Sequence, residues 1–427
     1  MRKYALINAR VFDSNLSQFV ESAVFIEGAR ILAVEKIKRS QIPSGFTQID
    51  LQGRYLMPGL IDAHLHLAGM RSGDMVKEHL LTPYETLVAR TVTDLKSLIE
   101  AGFTTVVDAG GSIAINLKKA IQEGTIAGPR IVAAGHSLSQ TFGHGDEHFL
   151  PIDYVDPRTS KFKGGFGSLI CDGVAECIKA ARYALRCGAD FIKIMATGGV
   201  LSERDRPEYT QFTVEEIKAI VEEANHARKF VHAHAQGKDG IMNALLGGVK
   251  VIAHAIYIDD ESCKLAKEKN AIIVPTLSIV EHLIIHGKQI GAPEWGLRKS
   301  EEVYKIHVEN IKKAYEHGVK IAAGTDFIGG TKAFKHGENA LEILLLVDKI
   351  GMKPEQALLS ATKVAAEAAG LSQLVGSIDK GKLADLLIVE DNTLSNVKIL
   401  MDHSKISAVF KEGILFKDKI GLEKYFN

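Results

Sequence analysis

Cysteine, tryptophan and any excess of charge are what this chain of 427 residues has least of. Its cysteines, Cys171, Cys177, Cys187 and Cys263, form no CxxC pair and match no zinc spacing. A disulfide scaffold and a cysteine-built metal knuckle are therefore not expected, and the four read as reduced packing residues. Basic and acidic side chains number 52 each, so the net charge is zero and no nucleic-acid partner is expected. No apolar run is long enough to span a bilayer, and the opening MRKYALINARVFDS lacks the apolar centre and cleavage site of a secretion signal. A cytoplasmic chain with no membrane partner is the expectation. What remains, 46% apolar and 24% charged, is the balance of a globular protein long enough for one large barrel and a small accessory domain.

Three zones follow one another. Residues 1–56 carry short alternating segments (ALINARVF, AVFIEG, ARILAVEK) punctuated by Gly28 and Gly53, the pattern of small antiparallel strands. Residues 376–427 look the same, with DLLIVE and KISAVFKEGILFKD. The two ends are expected to build one small β-sandwich together. Between them, 57–375 repeats a helix end, then Gly or Asn, then a short apolar strand: IEAGFTTVVDAG, RCGADFIKIMATGG, LLGGVKVIAHA, KEKNAIIVPT and YEHGVKIAAGTD. Such alternation implies parallel strands with crossover helices, and a (β/α)8 barrel of TIM type fits the length. Two capping boxes mark helix starts, Thr82 with Glu85 around Pro83, and Thr213 with Glu216.

Five motifs carry chemistry. Asp62-Ala63-His64-Leu65-His66 sets two imidazoles two apart, and side chains two apart on a strand point the same way. His64 and His66 would aim together at one metal; two unrelated core histidines are the alternative. Lys193, in Phe191-Ile192-Lys193-Ile194-Met195, places an ammonium on an apolar strand, where burial without a partner is costly. It either snorkels to solvent or adds carbon dioxide to become a carbamate, an anion whose two oxygens can bridge two cations. In Val231-His232-Ala233-His234 both imidazoles share a face. Barrel chemistry sits at the C-terminal strand ends, which favours His234 as ligand and leaves His232 one layer deeper. His254 ends the strand VIAH, and Asp326 ends KIAAGTD. Asp326 is either the N-cap of a following helix or a metal ligand that also moves a proton. Singly each motif is modest; their order, each closing a separate αβ unit, is the signal.

The segments PGLIDAHLH, FIKIMATGG, VHAHAQG, VIAHA and AAGTD resemble the amidohydrolase superfamily in its binuclear, carboxylated-lysine type, and VGSIDKGKLADLLIVE resembles its C-terminal signature. The segments GHGD, from Gly143, and HGEN, from His336, are similar to a narrower branch. That branch holds Xaa-Pro dipeptidases (prolidases), related carboxypeptidases and, more distantly, imidazolonepropionases. The resemblance implies a distorted barrel with a β-sandwich from both termini. It implies two divalent metals, zinc being expected. His64, His66 and Asp326 would hold one metal and His234 and His254 the other, with Lys193 as N6-carboxylysine between them. It implies hydrolysis of an amide bond in a small substrate, an Xaa-Pro dipeptide or an N-acyl or peptidyl amino acid, with Asp326 as proton shuttle. The alternatives are a cyclic-amide or toxin-like amidohydrolase, or a non-catalytic barrel. His144, Gln236 and Tyr257 are taken as substrate contacts, although Gln236 stands where relatives carry Tyr or His. Loops 136–170 and 198–212 are expected to set specificity, the charged run at 202–206 being read as either a lid or, the plainer reading, a solvated loop. Homo-oligomerisation is left open.

Overall fold

A computed structural model describes residues 3–37, 39–148, 150–160 and 167–426; part of the expected specificity loop, 149 and 161–166, lies outside them. Each helix–Gly–strand motif turns through one left-handed residue. Gly102, Gly188, Gly248, Asn270 and Gly318 have φ of 91°, 94°, 88°, 53° and 76°. A left-handed residue just past a helix end closes its last carbonyls and redirects the chain, and glycine does so without Cβ strain.

The strands so delivered are Leu60–Leu65, Phe103–Asp108, Arg130–Ala133, Ile192–Met195, Val231–Ala235, Val251–His254, Ile272–Val274 and Lys320–Ile321. Their pairings are all parallel but run as two sheets, the first three strands in one and the last five in the other. Two small strands, Ser137–Ser139 and Ser168–Ile170, extend the second sheet at its Ile192–Met195 edge. Single backbone bonds close the seams: Asp190 N to Ala133 O at 2.8 Å, Ala63 N to Ala323 O at 2.9 Å and Asp326 N to His64 O at 2.7 Å. The result is a distorted (β/α)8 barrel whose last seam brings the HxH strand against the strand leading to Asp326.

Both termini enter one eight-stranded sheet. Leu386–Val389 pairs antiparallel with Tyr55–Pro58, Leu386 opposite Pro58. The long strand Lys3–Asp13 breaks register between Leu6 and Ala9. Before the break it pairs with Thr47–Asp50 and after it with Tyr55–Pro58. A bulge of this kind lets one sheet turn into two layers. Leu6, Val24, Ile49, Leu386 and Phe410 form its inner core, while Met57, Leu387 and Val409 join the core of the barrel.

One helix start differs from expectation. Thr82 does not cap Tyr84–Glu100; Pro83 occupies that place with no side-chain cap. Thr82 ends the preceding helix Met75–Leu81, its N–H bonded to Glu78 O, so it is already spent. The Thr213–Glu216 box forms with both bonds. Cys171, Cys177 and Cys263 are buried, Cys187 is exposed, and none is disulfide-bonded. No helix among the described residues is long and apolar enough to cross a membrane.

Candidate metal centre

Strand parity delivers the first cluster. His64 and His66 turn their Nε2 atoms to the same oxygen of Asp326, Oδ1, at 3.3 and 3.2 Å. These three are the described residues whose donor atoms lie close enough together to hold one cation. Asp326 reaches them from a left-handed conformation, φ 60°, and His254 is left-handed too, φ 71°. Non-glycine residues in that region carry strain that the surrounding structure must hold.

A carboxylate that the sequence reading passed over holds this corner. Asp62 accepts from the backbone N–H of His64 and of Thr325 at 3.0 and 3.2 Å, from Thr325 Oγ1 at 2.7 Å and from Asn339 Nδ2 at 2.7 Å. It thereby ties the HxH strand to the residue before Asp326. Burial still pushes its pKa up to about 6. Asp108 similarly accepts from Leu67 N at 2.7 Å just past His66. Asp62 and Thr325 stand inside motifs already singled out, but only the folded chain shows what they touch.

The other expected residues surround this corner. Lys193 and His232 lie opposite each other on adjacent strands, as do Met195 and His234. His232 is the deeper of the two histidines: its Nε2 is 3.0 Å from His64 Nδ1. His234 packs against His254, ring centroids 4.6 Å apart, and against His144 at 4.2 Å. A cavity of about 690 Å³ opens over the cluster, with Met75, Leu80, Val200, Leu283 and Trp295 on its apolar walls and His144 and Gln236 among its polar ones. Tyr257 is set apart: it does not line that cavity, and its hydroxyl engages Glu208, whose charge, after burial, raises its pKa to about 12.

The donor set fits divalent cations. Burial holds His64, His232, His234 and His254 well below the usual histidine pKa, helped by the Lys193 charge at His64 and His232 and by neighbouring imidazoles at His234, and at His254 outweighing the opposing pull of Asp326, so they are neutral. Burial lowers His66 as well, but Asp326 outweighs it and the net direction is up. In a neutral ring, the hydrogen bond at one nitrogen decides where the lone pair sits. His66 Nδ1 donates to Gly110 O at 3.0 Å, which leaves the lone pair on Nε2, facing a carboxylate oxygen. Lone pair against anion is repulsive unless a cation or a proton lies between. His234 Nε2 donates to Gly198 O at 3.0 Å, and His254 Nδ1 meets Thr276 Oγ1 at 2.8 Å. Lys193 is the plainest sign. Its side chain is 2% exposed, its Nζ has no hydrogen-bond partner, and burial pushes its pKa down to about 7. An amine at that pKa has a substantial unprotonated fraction near neutrality, far more than an ordinary lysine, and the free amine is the form that adds carbon dioxide.

Comparison with known proteins places the fold in a family. The sequence profile of the Amidohydrolase family matches residues 55–415. Ochratoxinase of Aspergillus niger is 37% identical over 375 residues, 85% of this chain and 75% of that protein. Among solved structures, a prolidase complexed with N-methylphosphonate-L-proline superposes with a TM-score of 0.87 at 33% identity, covering 98% of this chain and 100% of that one. A Xaa-Pro dipeptidase with methionine bound in its active site gives 0.85 at 32%, covering 97% and 99%. Profile, sequence and superposition agree with the barrel, and the chain belongs to the amidohydrolase family.

Proposed function

We propose that this hydrolase cleaves the amide bond of a small substrate carrying a free carboxylate, an Xaa-Pro dipeptide or an N-acyl or peptidyl amino acid. His64, His66 and Asp326 would hold one divalent metal, His234 and His254 a second, with Lys193 joining them as its carbamate; imidazole and carboxylate donors suit zinc. Metals bound there supply Lewis acidity toward the substrate carbonyl and acidify the attacking water. The chain's own part is proton transfer and orientation. Asp326 is ionised: burial alone would raise its pKa, but the hydrogen bond from His66 leads the effects that hold it at about 2. Its Oδ1 faces the two imidazoles, and Oδ2 is the oxygen left to take a proton from the attacking water. That proton then passes to the departing nitrogen, because an amide anion is too poor a leaving group to go unprotonated.

The observation that carries this reading is the unpartnered, buried Lys193 amine among four imidazoles and a carboxylate. The likeness to the prolidase and dipeptidase structures supports the substrate class. The test is turnover of a dipeptide and N-acyl amino acid library by zinc-loaded protein, with cyclic imides and lactams as the competing set. Hydrolysis of Xaa-Pro or N-acyl amino acids is expected, and activity confined to the cyclic set would refute the substrate class. A second reading has its own support. The apolar walls of the cavity and the likeness to ochratoxinase suit hydrolysis of an amide in a small apolar, toxin-like compound.

A further inference from the structure

The loop 198–212 follows the strand of Lys193 and forms one side of the cavity. Far from being wholly solvated, it is pinned from behind. Lys299, on the helix Glu294–Glu316, donates to the carbonyls of Gly199, Ser202 and Asp205 at 3.1, 2.6 and 2.6 Å. Inside the loop the Asp205 carboxylate is completely out of solvent, 0% exposed. It accepts from Gly199 N at 3.2 Å and from the Ser202 hydroxyl. Its other oxygen meets His144 Nδ1 at 3.3 Å, and Ser202 Oγ lies 3.0 Å from the same nitrogen.

The His144 ring is thus held on three sides. One face stacks on His234, with ring planes 21° apart. One edge lies against Gly199, where an added Cβ would come within 2.2 Å of His144 Cε1. Nδ1 is taken by Asp205 and Ser202. A carboxylate accepts and cannot donate, so the proton of the ring sits on Nδ1, and Nε2 is the polar atom left to the cavity.

We propose that Asp205 is a positioning residue that acts through His144, fixing its tautomer and plane so that Nε2 meets a polar group of the bound substrate. The substrate itself rests on the amide-hydrolysis reading; the placement of the ring does not. Asp205→Asn tests it, because an asparagine amide can donate where the carboxylate only accepts and so admits the opposite tautomer. Two readouts are taken on zinc-loaded protein: ring-nitrogen resonances of His144, assigned by their loss in His144→Gln, and steady-state kinetics with Met-Pro and N-acetyl-L-phenylalanine. Wild type is expected to show Nδ1–H, and Asp205→Asn a changed tautomer with KM raised about 10- to 100-fold, kcat changed far less, and metal content unchanged. In a His144→Gln background the same substitution is expected to add little, since the two act as one unit. Wild-type tautomer and KM in Asp205→Asn would overturn the proposal, and so would an equal loss in the His144→Gln background, which marks a purely structural role. Should Asp205→Asn not fold, Ser202→Ala removes the second partner of Nδ1 and is expected to shift the same readouts less; no shift there overturns it too. If wild type turns over neither substrate, the substrate class fails, while the resonances still decide the role of Asp205.

Discussion

Lys411 in the terminal sheet and Lys193 at the barrel mouth are both buried lysines, 6% and 2% exposed. Lys411 donates to Gly128 O at 2.7 Å and lies over the Phe416 ring, 5.0 Å from its centroid. Its neighbours are also matched: Arg130 pairs with Asp385 at 2.7 Å and with Glu412 at 2.6 Å. Lys193 has no partner, and His232 Nδ1 and Gln236 Oε1 beside the same cluster have none either. Burial lowers both lysines, but only the first is repaid by contacts within the protein. The terminal sheet uses buried charge to fasten itself to the barrel. Among the described residues the terminal sheet leaves hydroxyls unmatched, at Ser14, Thr393 and Ser407, whereas the barrel mouth leaves an amine, an imidazole nitrogen and an amide oxygen, the condition of a site built to hold something else.

That contrast breaks most sharply at Lys193. Lys193→Ala should lose metal and cut the rate about a thousandfold or more, because several kcal/mol of charge stabilisation go with the metals. Its melting temperature without metal should hold or rise, since an unpaired buried amine has gone. Short carboxylic acids with bicarbonate should restore part of the rate. Metal content and rate equal to wild type would erase the distinction between the two lysines. Asp326→Asn comes next. It should keep the fold by circular dichroism and lower kcat about 100- to 10,000-fold, and a near-native rate would remove Asp326 from proton transfer.

The next two effects fall on stability. Glu342 is fully buried, accepts from Leu277 N and Ser278 N at 3.0 and 2.8 Å, and burial pushes its pKa up to about 7. The folded state therefore keeps a proton that the unfolded chain releases near its ordinary pKa of 4.5. Stability must fall as pH rises from there through about 7, by on the order of 3 kcal/mol. Denaturant midpoints of Glu342→Gln across that range should lack this slope; identical slopes would show that Glu342 is ionised in the fold. Lys411→Met should have the smallest effect, leaving kcat unchanged and lowering stability by about 1–3 kcal/mol because Gly128 O loses its donor. A loss of activity at full stability would reverse the assignment of the two regions.

What could be read from the chain alone follows the range of the interactions concerned. The left-handed turns at Gly102, Gly188, Gly248, Asn270 and Gly318 are local, and so the αβ repeat was visible. The shared direction of His64 and His66 follows from strand parity, which needs only their spacing. Parity could not separate His232 from His234, because both face inward; depth in the barrel separates them, and depth is set by neighbouring strands. Asp62 carried no legible role because its partners Thr325 and Asn339 lie 263 and 277 residues away. Asp205 looked like one charge in a polar run, and only the folded loop buries it against His144. Thr82 misled because a capping box and a helix end compete for the same residue.

The most direct test is carbon-13 NMR of zinc-loaded protein equilibrated with 13C-bicarbonate. If the Lys193 amine is held apart for carboxylation, one carbamate resonance per chain should appear, strengthen with metal and be absent from Lys193→Ala. Fully active wild type with no such resonance would contradict the account.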